Sequence, residues 1–344
     1  MKLVVIIPCL NEEKTLPDVL KTIPKKIEGI NKIETVIIDD GSTDRTVKVA
    51  KKYGVRHFVL HHKNKGLARS FSDGVDKALS LGADIIVNTD GDNQYPQEDI
   101  PRLIKPILDN KADMVIADRQ THTIKHFPFL KKVLQKIGSF TVGYFSNIAI
   151  PDAVSGFRAY SRLTAMRLNV FTDYTYTIET LIQAGKRKKR VEIVKIKTNN
   201  KHRESRLIKN IFGYLKISAA TILRVFAIYE PLKTFIYIGF FIALPGIILI
   251  ARFIYFLLVA DKGAHIQSII IGGLFILVGF QVGIIGIVAD LIGINRKLNE
   301  EILFRLKYME YGKFKPNNKN KSLKTSSNES AKKNFDSGDI QNEQ

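Results

Sequence analysis

The sequence predicts an α/β domain on a mostly parallel sheet, followed by a two-helix membrane hairpin. Three observations predict it. Short β-branched runs alternate with helical patterns from residue 1 to about 200, and two long apolar stretches follow between 235 and 290. The balance of 53 Lys+Arg against 33 Asp+Glu leaves +20, which asks for an anionic partner such as nucleic acid, a membrane surface or a phosphorylated substrate.

The strands come in order as LVVII (3–7), ETVIID (34–39), RHFVL (56–60), DIIVNT (84–89) and DMVIAD (113–118). Helical stretches lie near 12–27, 44–53, 65–81 and 98–109. Continuous apolar strands separated by helices argue for a parallel sheet covered on both faces. Ligands of such sheets sit beyond the carboxyl ends of the strands, here after Ile7, Ile38, Thr89 and Ala117. The opening MKLVVIIP reads as a strand and not a signal peptide, because its apolar run is short and lacks a small-residue cleavage site. The lone Cys9 excludes an intramolecular disulfide and a cysteine-rich zinc site, and reads as a small buried residue.

Phe235 to Ala251 carries no charge, and after Arg252 the run continues to Ala260; Ile269 to Ala289 has Gln281 as its only strongly polar member. At 1.5 Å per residue, about 20 residues cross a hydrocarbon core of about 30 Å. Two spans are therefore expected at about 235–260 and 267–290. The link 261–265 is short, so both flanks share one side. Arg224, Lys233, Arg296, Lys297 and the basic stretch 186–216 place that side, with the α/β domain, in the cytoplasm. The expected units are 1–206, an interfacial amphipathic helix over 207–231, the spans within 232–294, a juxtamembrane helix over 295–311 and a disordered tail over 312–344. A second amphipathic run over 129–148 suits the interface and an ordinary core equally. Gly279 and Gly283 form a small-xxx-small pair that permits helix packing, including a homo-oligomer.

The most informative motif is Asn88-Thr89-Asp90-Gly91-Asp92-Asn93-Gln94-Tyr95-Pro96, directly after a buried strand. An Asp-x-Asp pair there can aim two carboxylates at one site. Mg²⁺ usually takes one or two carboxylates plus substrate phosphates and water. Alone, the pair is more often a solvated turn; its place after the fourth strand favours a metal site. Gly91 allows a close turn. Ser42 or Thr43 can cap the helix that Asp44 opens, but a cap does not explain Asp39 and Asp40, whose carboxylates can accept hydrogen bonds from a nucleobase or ribose.

IPCLNEE, IDDGSTD, NKGLARS, NTDGDNQYP, ADR and VSGFRAYS, in that order and spacing, resemble the inverting family 2 glycosyltransferases with the GT-A fold. The motifs cover residues 4 to about 207. The two spans narrow the resemblance to the branch of dolichol-phosphate mannosyltransferase and related polyprenyl-phosphate glycosyltransferases. The resemblance implies transfer from a UDP- or GDP-linked sugar to a dolichyl or undecaprenyl phosphate, with Mg²⁺ or Mn²⁺ as cofactor. It implies that Pro8, Leu10, Glu12, Ile38 and Asp40 border the nucleoside. Asp90 would touch ribose or metal beside Gly91, while Asp92 and Gln94 hold the metal. Arg119 would meet the donor phosphates, and Ser155, Gly156 and Phe157 would shape the acceptor side. The family's basic loop matches Lys201-His202-Arg203-Glu204-Ser205-Arg206 without its usual glycine, with Arg203 and Arg206 toward the donor and Ser205 toward the acceptor. Glu179, on an apolar helix, also matches a family glutamate and reads as structural.

A nucleic-acid role is disfavoured: Lys186-Arg187-Lys188-Lys189-Arg190 has no accompanying helix-turn-helix, zinc spacing or RNA-binding aromatics, and suits anionic lipid instead. Neither G-x-G-x-x-G nor G-x-x-x-x-G-K-[ST] occurs, against a dehydrogenase or nucleoside triphosphatase. The remaining alternatives are a transferase acting on a hydroxyl acceptor and a non-catalytic membrane scaffold that keeps the fold.

Overall fold

A computed structural model of the chain describes residues 1–120, 143, 144, 146, 148, 151–170, 176–199, 224, 229–259 and 266–312. Arg203, Ser205 and Arg206, most of both amphipathic runs, the link between the spans and the tail after 312 lie outside them.

The described strands are β1 (Lys2–Cys9), β2 (Lys32–Asp39), β3 (His57–Leu60), β4 (Ile85–Asn88), β5 (Met114–Asp118), β6 (Arg158–Ser161) and β7 (Val191–Lys195). They form one sheet in the order β3-β2-β1-β4-β6-β5-β7. Every pairing is parallel except those of β6, which runs antiparallel to both β4 and β5. The helices are α1 (Leu16–Thr22), α2 (Thr46–Lys52), α3 (Leu67–Ser80), α4 (Ile100–Leu108), α5 (Arg162–Arg167), α6 (Tyr176–Lys186), α7 (Pro231–Val259) and α8 (Ile266–Tyr311). Alternate strand residues feed two apolar layers. Val4, Ile6 and Ile38 pack on one face with α3 and α6, and Leu3, Val5 and Ile7 on the other with α1 and α4. This is the mixed α/β sheet that the β-branched runs predict. Strands β6 and β7 were not among those read from sequence.

α7 and α8 are the two long apolar helices, and they lie against each other through glycines. A Cβ on Gly239 would stand 2.5 Å from the Gly279 carbonyl oxygen, and one on Gly246 equally close to that of Gly272. Gly286 meets Phe235 in the same seam. The seven-residue spacing of 239/246 and of 272/279/286 keeps the glycines on one stripe, where backbones approach closely. Most of the large apolar side chains face outward, with Leu258 77% and Phe280 68% exposed. That surface suits hydrocarbon and not water. Gly279 is thus used inside the hairpin, whereas nothing lies within 4 Å of a Cβ on Gly283. The expected separate helix over 295–311 is instead the uninterrupted end of α8. Leu, Glu, Arg and Lys there are strong helix formers, and no proline intervenes.

Candidate active site

The carboxyl ends of β1 and β2 are tied together by their loops. Asn11 donates its backbone N–H to Ser42 Oγ at 2.9 Å, and its Oδ1 accepts from Thr43 N at 2.8 Å. Glu12 N donates to Thr46 Oγ1, and Glu13 N to Asp44 Oδ2. Ser42 and Thr43 are therefore spent on Asn11. The expected cap is not made by either: Arg45 is the N-cap residue, and the preceding Asp44 Oδ1 accepts from Thr46 N at 2.9 Å. Cys9 is buried beneath this turn. Burial, then Glu12 and Asp39, raise its thiol well above its ordinary pKa, leaving it a packing group.

Asp40 is buried and already occupied. Its carboxylate accepts from Lys65 N at 2.8 Å and Gly66 N at 3.0 Å and meets His61 Nδ1 at 2.7 Å, while His61 Nε2 reaches Asp73. It shapes the loop over the β2 end. Its neighbour Asp39, which the resemblance did not single out, keeps a buried Oδ1 without a hydrogen-bond partner. Ile38 is fully buried in the core against Gly74, so only its backbone faces a ligand there.

The loop after β4 crosses the first one. Thr15 Oγ1 donates to the Gly91 carbonyl at 2.8 Å and to Glu12 Oε2 at 2.7 Å. A Cβ on Gly91 would stand 2.9 Å from Cys9 Sγ, 3.3 Å from Glu12 Cγ and 3.5 Å from the Pro8 carbonyl oxygen, so this crossing needs glycine. Leu10 lies within the same turn. Beyond it, Asp92 accepts from Gln94 N at 3.1 Å and from Gln94 Nε2 at 2.6 Å. Asn11, Asn93 and Gln120, in the loops after β1, β4 and β5, all hold positive φ of 49–59°. Such conformations concentrate in loops that aim side chains.

Burial and the Asp92 carboxylate push Asp90 up to about 7, against the lowering effect of Arg119. Crowded carboxylates of this kind are relieved by a cation. Among the described residues no three His, Cys, Asp or Glu side chains converge on a metal position. Asp90, Asp92 and the Gln94 amide oxygen would make a lean donor set, of the kind that suits a hard divalent ion completed by phosphate oxygens and water.

Antiparallel β6 brings the preceding loop into the same place. Asp152 is fully buried and pairs with Arg119 at the end of β5, Nε to Oδ2 at 2.7 Å and Nη2 to Oδ1 at 2.9 Å. Gly156 N donates to Tyr95 Oη, and its carbonyl accepts from Asn88 Nδ2. A Cβ on Gly156 would stand 2.8 Å from Tyr176 Oη and 3.2 Å from Asp90 Oδ2. Phe157 is a core side chain stacked on Tyr95 at 5.3 Å, and Ser155 is fully buried with no partner for its hydroxyl. Of the four residues expected on the acceptor side, Gly156 lies against the acidic centre, Ser155 and Phe157 do not, and Ser205 is outside the described residues.

Beneath lies a residue that sequence reasoning missed. Arg158 is fully buried and donates to the carbonyls of Ser155, Thr177 and Ala153 and to Thr180 Oγ1, all within 2.7–2.9 Å. It staples the 153–155 loop to α6. Asn199 N bonds the Gln94 carbonyl at 3.0 Å and its side chain the Asn93 carbonyl, so the chain reaches the acidic loop two residues before Lys201. Glu179 is buried on α6.

An acidic loop at the end of β4, an arginine opposite it and loops at the β1 and β2 ends are the arrangement of a transferase of the GT-A fold. The glycosyl transferase family 2 model matches residues 4–167. The dolichyl-phosphate N-acetylglucosaminyltransferase of Methanococcus voltae, which uses UDP-N-acetylglucosamine, is 31% identical over 217 residues, 56% of this chain and 84% of its own length. The dolichol-phosphate mannosyltransferase of Pyrococcus furiosus is 35% identical over 231 residues, covering 63% of this chain and 62% of its own. The crystal structure of glucosyl-3-phosphoglycerate synthase from Mycobacterium tuberculosis, with Mn²⁺, UDP and phosphoglyceric acid, superposes with a TM-score of 0.51. At 20% identity over 66% of this chain and 78% of the other, it shows the fold alone. The chain belongs to glycosyltransferase family 2 and is a glycosyltransferase.

Proposed function

We propose that this protein transfers a sugar from a UDP- or GDP-linked donor to a polyprenyl phosphate, with inversion, at the cytoplasmic face of the membrane. The observation that carries the reading is the approach of Asp90 and Gly156. It joins the acidic donor loop to the loop before β6, in a domain whose chain continues into two apolar helices. The Methanococcus and Pyrococcus relatives are named for dolichyl-phosphate acceptors, which supports that acceptor class here. The basic flanks of the hairpin support the cytoplasmic side.

The loops after β1 and β2 bind the nucleoside, with the Asp39 Oδ1 a hydrogen-bond acceptor awaiting a donor. Asp90, Asp92 and Gln94 would hold Mg²⁺ or Mn²⁺, as the Mn²⁺ and UDP of the Mycobacterium structure suggest. The ion would supply charge neutralisation for the diphosphate. Arg119, oriented by Asp152 through its Nε/Nη2 edge, keeps Nη1 for the same oxygens. That contact strengthens as the glycosidic bond breaks and charge accumulates, which is where it lowers the barrier. A lipid phosphate has a second pKa of about 6 and is mostly dianionic at neutral pH, so it attacks without a general base. The basic residues of 201–206, which lie outside the described residues, would meet the donor phosphates and help exclude water.

The test incubates membranes containing the protein with labelled UDP- and GDP-sugars and reads label in the lipid extract. Label should appear in a product that mild acid cleaves and that one nucleotide class supplies. Transfer only to protein, polysaccharide or water would overturn the proposal.

A further inference from the structure

α8 does more than cross a membrane. Its 46 residues span about 70 Å, more than twice a hydrocarbon core of about 30 Å. The excess, residues 295–311, lies on the α/β domain along one face. Glu300, buried in a stretch that is elsewhere half-buried or exposed, meets Arg187 Nη2 at 2.9 Å, directly after α6. Glu301 meets Arg167 of α5, whose guanidinium covers the Phe304 ring at 3.7 Å. Lys307 meets Asp76 of α3 at 2.8 Å, and the Tyr311 carbonyl accepts from Arg162. The spacing 300, 304, 307, 311 is that of one helical face. Helices α3 and α5 and the turn that follows α6 are thus gripped by a rod whose other half is apolar.

We propose that residues 295–311 form a rigid strut that sets the position of the catalytic cleft over the bilayer, with Arg187 and Glu300 as its positioning pair. The inference rests on the membrane and lipid-phosphate reading above. A helix without a hinge transmits its direction, so the tilt of the domain follows that of the span. The acceptor phosphate is confined to the headgroup plane, and small displacements of reacting groups are costly, about 10²-fold for 1 Å. The pair lies away from the chemistry. Tyr176, at the start of α6, touches Asn88 and the Gly156 region, and Arg187 is eleven residues on, about 16 Å along the helix.

The experiment uses the full chain in nanodiscs, with Arg187→Glu, Glu300→Arg and the charge-swapped double variant. Hydrogen exchange is read over 162–167 and 300–311. KM and kcat are read with a long polyprenyl phosphate in the bilayer and with a short, water-soluble one, and donor affinity is read by itself. Each single variant should speed exchange in both segments by about tenfold or more and raise the bilayer-acceptor KM about fivefold. Donor affinity and turnover of the short acceptor should stay within about twofold, and the swap should restore both readouts. Unchanged exchange in the single variants, or an equal loss with both acceptors, overturns the strut. Glu300→Gln provides a milder break should the reversals fail to fold, with smaller changes in the same direction expected and their absence overturning it. If the wild type labels no lipid phosphate, the acceptor reading falls, and exchange with its recovery in the swap still judges the strut.

Discussion

Arg119 and Asp152 form a two-pronged pair that ties the end of β5 to the loop before β6, with the carboxylate wholly enclosed. Replacing Arg119 by Ala removes a charge-assisted donor and strands a buried carboxylate. The expected loss in kcat/KM is about 10²- to 10³-fold. Asp152→Asn keeps the shape but loosens the guanidinium, and about tenfold is expected. Steady-state rates with saturating metal check both. Equal rates for Asp152→Asn and wild type would show that the pair does not orient Arg119.

Gly156→Ala tests the junction of the two loops. Its Cβ would press on the Tyr176 hydroxyl, which is held by Asn88 and stacked through its ring on Phe71, and on the Asp90 carboxylate. The Tyr176 hydroxyl is fixed by these contacts, so the strain falls on the half-buried Asp90 carboxylate, and Mn²⁺ binding, followed by electron paramagnetic resonance, should weaken about tenfold or more. Chelation of wild type should abolish turnover, and Mg²⁺ or Mn²⁺ should restore it. Full turnover in excess EDTA would remove the metal from the proposal.

The acceptor's chemistry is separable from the donor's. A hydroxyl at neutral pH needs a base, worth about 10²- to 10⁴-fold, whereas a phosphate does not. Glu179→Gln should therefore cost less than about tenfold in kcat, far less than Arg119→Ala. A polyprenol lacking the phosphate should be inert. If it serves as well, or if Glu179→Gln is the more damaged enzyme, the nucleophile is a hydroxyl.

Glu34 carries a pH dependence unrelated to catalysis. Burial opposes its charge, but Lys2 at 2.7 Å and Lys32 at 2.6 Å overcome that and hold the carboxyl down at about 2. A folded-state pKa below the unfolded one means stability present above about 4.5 and lost as pH falls toward 2. Because Lys32 is largely exposed, the contribution is on the order of 1–2 kcal/mol, less than the full shift implies. Thermal melts by circular dichroism should place Glu34→Gln below wild type at pH 7, with the gap closing between pH 4.5 and 2. A gap that is constant with pH would assign the loss to packing.

Much of this architecture was legible because its signals are local. Strands β1 to β5 are apolar runs of period-free hydrophobicity, and the acidic turns follow them directly. What escaped depended on partners distant in sequence. β6 begins with Arg158, and a charge suggests a surface; its burial is made possible by three carbonyls and a hydroxyl from the 153–155 loop and α6, which no single window contains. Asp152 became visible only through Arg119, 33 residues earlier. Ile38 and Phe157 sit within site motifs yet turn their side chains into the core, because alternate residues at a strand end face opposite layers. The reach of α8 onto the domain is likewise a long-range docking, written in charges that resemble an ordinary solvated helix.

The reversed direction of β6 has an evolutionary consequence. The loops over 8–12, 38–46 and 89–95 are assembled where parallel strands end, whereas the segment facing the acidic loop is assembled where an antiparallel strand begins. The two halves therefore belong to separate stretches of gene, joined where Asn88, Asp90 and Tyr95 meet Gly156 and where Arg119 meets Asp152. On the proposed assignment, substitutions within 8–12 and 38–46 would retune donor choice while leaving the segment before β6 intact, whereas a change at Asp152 would be felt at Arg119 as well.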